Sequence, residues 1–360
     1  MKRMVVQAIQ STNLAHGGPA QSVPKLTNAL YRQDVPVVLF SLDHRSDHPD
    51  YAEVASPTVT TWSGVEGYLA GDSVQLVHIH GLWNPFQHRM AIEVRRRGIP
   101  YVVSPRGMLE PWAIGQKRWK KRLAWWLYQR ADLQRASLLH ATAQSEADQF
   151  RRLGLRTPTV VIPNGVDIPE LEACDGVHAS ESSKRVAVFL SRLHPKKGLP
   201  MLAEAWARLD TQHWSLRVVG PDVGGHRREL EERLDGLGVR NWEFTGAIFG
   251  EDKSRTLRQA ELFLLPTYSE NFGIAIAEAL AHELPVLTTT GTPWDGLKAE
   301  GCGWWVEPSV EAIEDALRVA LRLDRRELRR MGERGRAWMQ RDFQWSVIAE
   351  TMRAAYVEAS

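Results

Sequence analysis

A short apolar run that is closed by a proline and followed by a helical stretch is the feature that most constrains the fold. Leu262–Leu265 are consecutive apolar residues, and Pro266 lacks the N–H group that a central strand needs. Phe272 to Ala281 are mostly good helix formers, with Gly273 in the expected first turn. A buried strand that leads through a polar loop into a helix is typical of an open α/β sheet, which binds ligands where its strands end.

The expected start of this helix has the properties of an anion site between two acids. Backbone N–H groups at Phe272, Gly273 and Ile274 would have no partner within the helix, and anions bind well to such groups. Gly273 has no Cβ, so a bulky ligand can approach the backbone closely. Glu270 and Glu278 stand on either side. Because carboxylates repel phosphates, we expect them to accept hydrogen bonds from sugar or ribose hydroxyls that flank a phosphate.

Apolar runs alternate with helical stretches along the whole chain, and the alternation restarts once. The runs lie at Met4–Ile9, Val37–Leu42, Val74–His80, Tyr101–Ser104, Leu138–Thr142 and Thr159–Ile162, and then at Arg185–Ser191, Ser215–Val219, Trp242–Thr245, Leu262–Leu265 and Pro285–Thr289. At 360 residues the chain is long enough for two domains of ordinary size. The pattern predicts α/β domains at 1–167 and 184–343, a linker at 168–183, and a last helix at about 344–360.

The string Ser-Glu-Asn-Phe-Gly-x4-Glu-Ala-Leu-Ala, from Ser269 to Ala281, resembles the E-x7-E signature of the retaining glycosyltransferases of family 4. Pro163 to Asp167 likewise resembles the boundary between the two domains of that family. The resemblance implies the GT-B fold, in which two doubly wound Rossmann-like α/β domains face each other across a cleft and a C-terminal helix crosses back to the first domain. The alternative for Glu270 and Glu278 is a strand–helix unit with two solvated glutamates.

The resemblance assigns the nucleotide-sugar donor mainly to the second half of the chain. Arg192 and Lys197 resemble the Arg and Lys that the family uses on the donor diphosphate, with Lys196 as a substitute for Lys197; the alternative is a basic surface turn. Fixed cations stabilise the negative charge on the leaving diphosphate, and they do so in place of a metal. Glu278 would accept from the ribose hydroxyls, and Glu270 from a hydroxyl of the hexose. The expected donor site consists of Gly17, Gly18, Arg192, Lys197, Glu270, Asn271, Phe272, Gly273, Ile274 and Glu278, without a metal.

Two features of the first half are expected near the reacting sugar. Gly17 and Gly18 end a loop between a strand and a helix, and this loop resembles the glycine-rich first loop of the family; a plain turn is the alternative. His80 ends a strand and matches the histidine that the family carries near the transferred sugar, whereas a structural imidazole is the alternative. For His78 we prefer the structural interpretation. The expected catalytic residues are His80, Glu270, Arg192 and Lys197.

The acceptor is expected near the loop from Pro105 to Trp112, which resembles the acceptor-side loop of polysaccharide-building members of the family. Arg106 would bind a phosphate or carboxylate of the acceptor, or it would instead pair with Glu110. Trp83, which follows His80 closely in the chain, is the second acceptor candidate. The resemblance therefore favours a glycan or lipid-linked glycan as the acceptor.

A basic and aromatic segment over residues 116–130 has two interpretations. It carries Lys117, Arg118, Lys120, Lys121, Arg122 and Arg130 together with Trp119, Trp125, Trp126 and Tyr128. Indoles and cations on one helix suit the interface of an anionic bilayer, where each cation contributes ~1 kcal/mol. The alternative is a solvated helix whose tryptophans belong to the core. The segment therefore predicts contact with an anionic membrane surface or, alternatively, an ordinary surface helix.

Composition excludes several other classes of function. A net charge of +2 gives no general attraction to nucleic acid. Cys174 and Cys302 suggest no disulfide framework and fit a reducing cytoplasm, and no Cys/His cluster has zinc spacing. The first residues lead directly into a strand without a signal-peptide pattern, and no apolar run approaches the ~20 residues that span a bilayer. We expect a cytoplasmic protein that can lie at the inner face of a membrane.

Together these features predict retaining, metal-independent transfer of a hexose from a nucleoside-diphosphate sugar to a glycan hydroxyl in surface polysaccharide synthesis. Attack on the same face as the leaving phosphate is implied by the resemblance. Where many relatives carry Gly-Gly-x-x-Glu, this chain has Gly291-Thr-Pro-Trp-Asp295, so the sugar is not assigned. The alternatives are a sugar-nucleotide epimerase of the same fold, a non-catalytic nucleotide-sugar-binding protein, and a hydrolase that uses Glu270 and Glu278.

Overall fold

The computed structural model describes residues 4–13, 17–44, 53–170, 184–222 and 224–360. The expectations for Cys174, for the linker beyond residue 170 and for the middle of the first glycine loop lie outside the described residues. The chain divides into two compact units. The first combines Met1–Gly165 with Phe343–Ser360, and the second is Val166–Asp342. Both units are α/β, as the alternation of apolar runs predicts.

Within the described residues, the first unit has a parallel sheet of seven strands. These are β1 (Met4–Ile9), β2 (Val37–Phe40), β3 (Thr58–Val59), β4 (Val74–His80), β5 (Tyr101–Ser104), β6 (Leu138–Ala141) and β7 (Thr159–Val161). Their order is β3-β2-β1-β4-β5-β6-β7, and all neighbours are parallel. The direction of the order changes between β1 and β4, which is where open α/β sheets bind ligands.

The basic and aromatic segment is not one regular helix. The described helices up to this unit's boundary are α1 (Gly18–Arg32), α2 (Trp62–Leu69), α3 (Pro85–Arg96), α4 (Pro111–Gly115), α5 (Arg118–Ala124), α6 (Arg130–Gln134) and α7 (Gln144–Arg152). A π-helical turn, Trp125–Gln129, joins α5 to α6. Lys117 has a left-handed φ of 51°, so α5 begins at Arg118 and not at Gln116, where the predicted helix starts.

The described part of the second unit has a parallel sheet of six strands. These are β8 (Arg185–Leu190), β9 (Trp214–Val219), β10 (Trp242–Gly246), β11 (Leu262–Leu265), β12 (Val286–Thr289) and β13 (Gly303–Val306). Their order is β10-β9-β8-β11-β12-β13. All four residues of β11 are buried, because this strand lies between β8 and β12 near the centre of the sheet. Here the order changes direction between β8 and β11.

The helix after β11 begins two residues later than its sequence predicts. The helices of this unit are α8 (Leu199–Ala207), α9 (His226–Gly236), α10 (Gly250–Arg258), α11 (Ile274–Ala281), α12 (Gly296–Ala299), α13 (Val310–Ala320) and α14 (Arg325–Trp338). Gly273 has a left-handed φ of 81° and is the N-cap of α11, so neither it nor Phe272 is helical. The first-turn amides of α11 therefore begin at Ile274.

The last helix, α15 (Trp345–Ala359), packs on the first unit. Ile348, Met352 and Tyr356 are buried in one apolar cluster with Val5 of β1 and Leu30 of α1. These three residues recur at spacings of four, so they lie on one face of the helix. The prediction that the chain returns to its first domain is confirmed.

Candidate functional site

The loops that follow β8 and β11 touch each other at the point where the strand order of the second sheet changes direction. The backbone carbonyl of Lys196 accepts hydrogen bonds from the Tyr268 N–H at 2.8 Å and from the Thr267 hydroxyl at 3.0 Å. A Cβ atom on Gly198, whose φ is 74°, would lie 1.8 Å from the Pro266 carbonyl oxygen. Only glycine permits this approach, and it brings the two predicted donor loops together.

Lys197 and Glu270, one from each of these loops, form an ion pair. The Lys197 Nζ donates to Glu270 Oε1, and the two side chains are only 12% and 15% exposed. A charged pair with so little water around it interacts more strongly than a surface pair. The cation predicted to bind the diphosphate and the acid predicted to bind the hexose are therefore in direct contact.

Glu278 is also paired with a lysine, which the sequence did not indicate. Lys253 on α10 donates from Nζ to Glu278 Oε1 at 3.1 Å, and both side chains are 15% exposed. Next to this pair, Ser254 Oγ and His282 Nε2 lie 2.9 Å apart, and His282 Nδ1 donates to the Glu278 carbonyl at 2.7 Å. These contacts hold α10 beside α11. Nothing in the sequence marks this contact, because Lys253 and Glu278 stand 25 positions apart.

Several cations gather around His194 in the turn after β8. Burial lowers the pKa of the His194 imidazole, and the positive charges of His226, Arg192, Lys197 and Lys196 lower it further. Arg192 itself is exposed. Since His194 Nδ1 accepts from the Lys196 N–H at 3.1 Å, the turn folds around this ring. The result is a local positive potential beside the Lys197–Glu270 pair, suited to an anion.

The loop from Glu270 to Gly273 is held from outside by the segment after β12. The Glu270 N–H donates to the Gly291 carbonyl at 2.8 Å, and the Trp294 indole donates to the Phe272 carbonyl at 2.6 Å. The Ile276 N–H donates to the Gly273 carbonyl at 2.9 Å, which closes the first turn of α11. Of the three amides predicted for an anion, those of Phe272 and Gly273 thus precede the helix, and that of Ile274 opens it.

In the first unit, Gly17 is suited to a close approach by a ligand. It has a φ of 94° and directly precedes α1, whose first residues are Gly18 and Pro19. Nothing lies within 4 Å of a Cβ placed on Gly17 among the described atoms. It follows β1 in the chain, at the change of strand order, whereas Leu14 to His16 lie outside the described residues.

Two histidines near the predicted catalytic one belong to a buried chain of hydrogen bonds. His140 Nε2 lies 2.8 Å from the Ile162 carbonyl, which only accepts, so this nitrogen carries the proton. Burial and Arg106 lower the pKa of His140 to about 3, so Nδ1 is bare and accepts from the Ser104 hydroxyl at 2.5 Å. Ser104 Oγ must then accept from His78 Nε2 at 2.8 Å. His78 is accordingly structural, as we preferred.

The chain of hydrogen bonds continues to His80 and fixes its tautomer. Tyr356 donates to the Nδ1 of His78 at 2.7 Å and accepts from Gln7 Nε2 at 2.7 Å. Gln7 Oε1 lies 2.7 Å from His80 Nε2, which therefore carries its proton. Burial, His78, Arg106 and His140 lower the pKa of His80 well below its usual range. His80 is 1% exposed and neutral, and both of its ring nitrogens have partners.

Arg106 points into this same network. Its guanidinium donates to Asn164 Oδ1 at 2.6 Å and to His80 Nδ1 at 3.2 Å, and burial lowers its pKa to about 10. Its backbone is strained, with a left-handed φ of 57°. Trp83 also has a left-handed φ, of 71°, and its indole donates to the Met108 carbonyl at 3.2 Å. Both acceptor candidates thus organise the loop at Pro105–Trp112.

The basic and aromatic segment exposes part of its apolar surface. Trp119 and Trp126 are 69% and 73% exposed, and Leu123 and Leu127 are 55% and 70% exposed. Trp125, in contrast, is half-buried and packs on the core and on Trp83, with ring centroids 6.4 Å apart. One tryptophan therefore follows the core interpretation, while its neighbours leave an uncovered apolar patch within a basic stretch.

Two absences hold for the described part of the chain. None of its helices combines the length and the apolar character needed to cross a bilayer. Nor do its His, Cys, Asp and Glu residues form a group of three that could hold a metal ion. The predictions about metal and membrane remain predictions. Cys302 is buried, which raises the pKa of its thiol to about 12.

Each of the two units matches a known protein-family model. A family model described as "Glycosyl transferase 4-like domain" matches residues 17–165, and one described as "Glycosyl transferases group 1" matches residues 173–338. A phosphatidyl-myo-inositol mannosyltransferase of Mycobacterium leprae is 27% identical over 219 residues, which are 58% of this chain and 56% of the relative. The chain spans about half the length of the curated relatives that it matches.

Solved structures of low sequence identity share the fold over nearly the whole chain. A sucrose-phosphate synthase from Thermosynechococcus elongatus superimposes with a TM-score of 0.79 at 20% identity, covering 99% of this chain and 98% of its own. Anabaena HepE, solved with UDP and glucose, gives 0.75 at 19% identity, covering 98% and 99%. Each half of the chain thus matches a glycosyltransferase family model, and the fold is that of the GT-B glycosyltransferases.

Proposed function

We propose that this chain transfers a hexose from a nucleoside-diphosphate sugar to a hydroxyl group of a glycan or lipid-linked glycan, with retention of configuration and without a metal. The contact between Lys197 and Glu270 carries this proposal. It joins a cation suited to a diphosphate to an acid suited to a sugar hydroxyl, at the change of strand order between β8 and β11.

The donor is proposed to bind along the carboxyl edge of the second sheet. Arg192 and Lys197 would hold the diphosphate, and the amides from Phe272 to Ile274 would support its distal phosphate or the sugar. Glu270 and Glu278 would accept from the hexose and ribose hydroxyls. As the glycosidic bond breaks, charge grows on the leaving phosphate, and cations fixed in advance stabilise it better than water does.

The acceptor is proposed to use the first unit. His80 remains our candidate for the group nearest the reacting sugar, although its neutral ring already has two partners. It would contact a substrate through its ring edge, or by exchanging the Arg106 contact for one to the substrate. We infer that the acceptor oxygen bonds to the sugar carbon on the same face from which the phosphate leaves. The leaving phosphate, which lies beside the acceptor hydroxyl, then takes its proton.

We also propose that the exposed part of residues 117–127 binds an anionic membrane surface at the cytoplasmic face. Trp119, Leu123, Trp126 and Leu127 form the uncovered apolar patch. The cations of the same stretch would meet lipid phosphates, each contributing ~1 kcal/mol. A lipid-linked acceptor would then be reached without leaving the membrane surface. The relative that acts on phosphatidyl-myo-inositol, as its name states, supports this assignment.

A panel of UDP- and GDP-sugars tests the transfer. The purified chain should gain thermal stability with one donor, and with an added glycan acceptor it should release the nucleoside diphosphate and form an α-linked product from an α-linked donor. Conversion of the donor to another sugar nucleotide without acceptor would favour the epimerase. Binding without turnover across acceptors would favour a binding protein, and an inverted product would contradict the retaining mechanism.

A further inference from the structure

The segment from Gly291 to Asp295, between β12 and α12, departs from the Gly-Gly-x-x-Glu of many relatives and has no role in the proposed function so far. Trp294 is its most buried large side chain, at 1% exposure. The indole ring packs against Phe272, with centroids 5.2 Å apart, and edge-on against Trp338 at 5.5 Å. This segment therefore reaches the donor loop directly.

The segment fixes both ends of the loop that begins at Glu270. At one end, the Gly291 carbonyl accepts from the Glu270 N–H at 2.8 Å. A Cβ on Gly291 would lie 2.4 Å from the Tyr268 carbonyl oxygen, so the approach needs glycine. At the other end, the Trp294 Nε1 donates to the Phe272 carbonyl at 2.6 Å. Two hydrogen bonds to one neighbouring segment, one to its backbone and one from its indole, thus hold the backbone of the loop.

The indole contact sets the direction of a predicted ligand-binding amide. The peptide bond between Phe272 and Gly273 is trans and planar, so its carbonyl and its N–H point in opposite directions. With the Phe272 carbonyl drawn towards the buried indole, the Gly273 N–H must point away from Trp294. Gly273 has a φ of 81° and few barriers to rotation, so it does not fix this peptide plane by itself.

We propose that Trp294 is a positioning residue, which orients the Gly273 amide towards the distal phosphate or sugar of the donor. This inference rests on the proposed function. Trp294 does not itself contact the donor; it acts through Phe272.

Trp294→Phe tests this role, because phenylalanine keeps an aromatic ring but lacks the N–H. The matched control is Trp305→Phe: the Trp305 indole donates to the Thr292 carbonyl of the same segment at 3.0 Å, but not to the loop. Two measurements are made on each variant. One is hydrogen exchange of the peptide covering residues 268–276 without ligand, and the other is the Kd for the UDP- or GDP-sugar that stabilises the wild type.

We expect Trp294→Phe to exchange faster over 268–276 and to bind the donor at least about ten-fold more weakly, the loss of one hydrogen bond to a well-placed acceptor. Its KM for the donor should rise more than its kcat falls, and Trp305→Phe should match the wild type. Equal exchange and affinity in the two variants would overturn the inference. If the wild type binds no donor, the proposed function fails, while the exchange data still decide whether Trp294 orders the loop.

A wild-type measurement covers the case in which Trp294→Phe does not fold. In a 15N-labelled protein, the indole N–H resonance of Trp294 should shift when the donor is added, and that of Trp305 should not. An unchanged Trp294 resonance at saturating donor would contradict the coupling.

Discussion

Lys253 and Glu278 allow a quantitative test of how burial affects an ion pair beside the candidate site. The perturbations are Lys253→Met, Glu278→Gln and the double variant. With Nζ and Oε1 3.1 Å apart, an effective dielectric constant of about 20 gives an attraction of roughly 5 kcal/mol. Desolvation of two largely buried charges removes part of that. A charged hydrogen bond has a net worth of about 1.5–3 kcal/mol, so we expect a coupling energy of about 2 kcal/mol.

Native-state hydrogen exchange of the α11 amides is the assay, because it reports the local opening free energy of the helix that carries Glu278. The coupling energy is the sum of the opening free energies lost in the two single variants minus the opening free energy lost in the double variant. The control is the Arg228–Glu232 pair on α9, measured by exchange of the α9 amides; its atoms are 3.0 Å apart but its side chains are 86% and 67% exposed. That pair should couple by about 0.3–0.5 kcal/mol.

The comparison isolates burial, since the two pairs have nearly equal separations. A Lys253–Glu278 coupling no larger than that of the control would refute the reasoning. It would mean that the cost of desolvation cancels the attraction, and that Glu278 does not depend on Lys253 for its position.

Four further predictions concern the chemistry, the pH dependence and the membrane. Arg192→Ala and Lys197→Ala should each lower kcat/KM by roughly 30- to 1,000-fold, which corresponds to about 2–4 kcal/mol of transition-state stabilisation. The control Lys196→Ala should change kcat/KM by less than about five-fold. Near-wild-type turnover in both Arg192→Ala and Lys197→Ala would remove the diphosphate role. Turnover should persist in EDTA, and a loss that Mn²⁺ restores would contradict the metal-independent mechanism. His78, His80 and His140 have folded pKa values below the unfolded value of about 6.5, so the unfolded chain binds their protons first and stability is lost as the pH falls below about 6.5. The free energy of unfolding should therefore be lower at pH 5.5 than at pH 7.5, and His140→Gln, which removes a group with a pKa of about 3, should reduce this difference by about 1.4 kcal/mol. A free energy of unfolding that does not change with pH would contradict the neutral tautomers. Replacing Trp119 and Trp126 by Ser should weaken sedimentation with vesicles of phosphatidylglycerol, whereas Ser at the exposed Val319 and Val357 should not; equal binding by both double variants would leave the patch without this role.

The central strand–loop–helix was predictable because its signals are local. Leu262–Leu265 is apolar throughout and Pro266 ends it, so neighbouring residues alone define the strand. The start of α11 was placed too early because Phe272 is compatible with a helix by propensity. What displaces the start is the left-handed Gly273, held in place by the contact from Trp294 to Phe272, which depends on tertiary structure.

Two edge strands were missed for a related reason. β3 has only two residues, Thr58–Val59, and both are half-buried. β13 reads Gly303–Val306, with all four residues half-buried and no alternation of apolar and polar positions. An edge strand is stabilised by its pairing with a single neighbouring strand, so its own sequence needs little strand character.

The network around His80 had a signal that could have been used. Gln7, His78 and His140 each stand inside an apolar strand, and a buried polar group nearly always has a partner. Their presence predicts an internal polar cluster. The partner Tyr356, however, comes from the far end of the chain, and no local pattern links it to Gln7. The structural role of these side chains was therefore accessible from the sequence, and their pairing was not.

The attachment of α15 to the first unit has a consequence for synthesis. Ribosomes release residues 166–342, a complete α/β unit, before residues 343–360 emerge. Until then the surface formed by Val5 and Leu30 lacks the cover that Ile348 and Met352 provide. While residues 166–342 are translated, the nascent first unit therefore exposes this apolar face to solvent. A chaperone that binds exposed apolar surfaces would have its greatest effect during that interval.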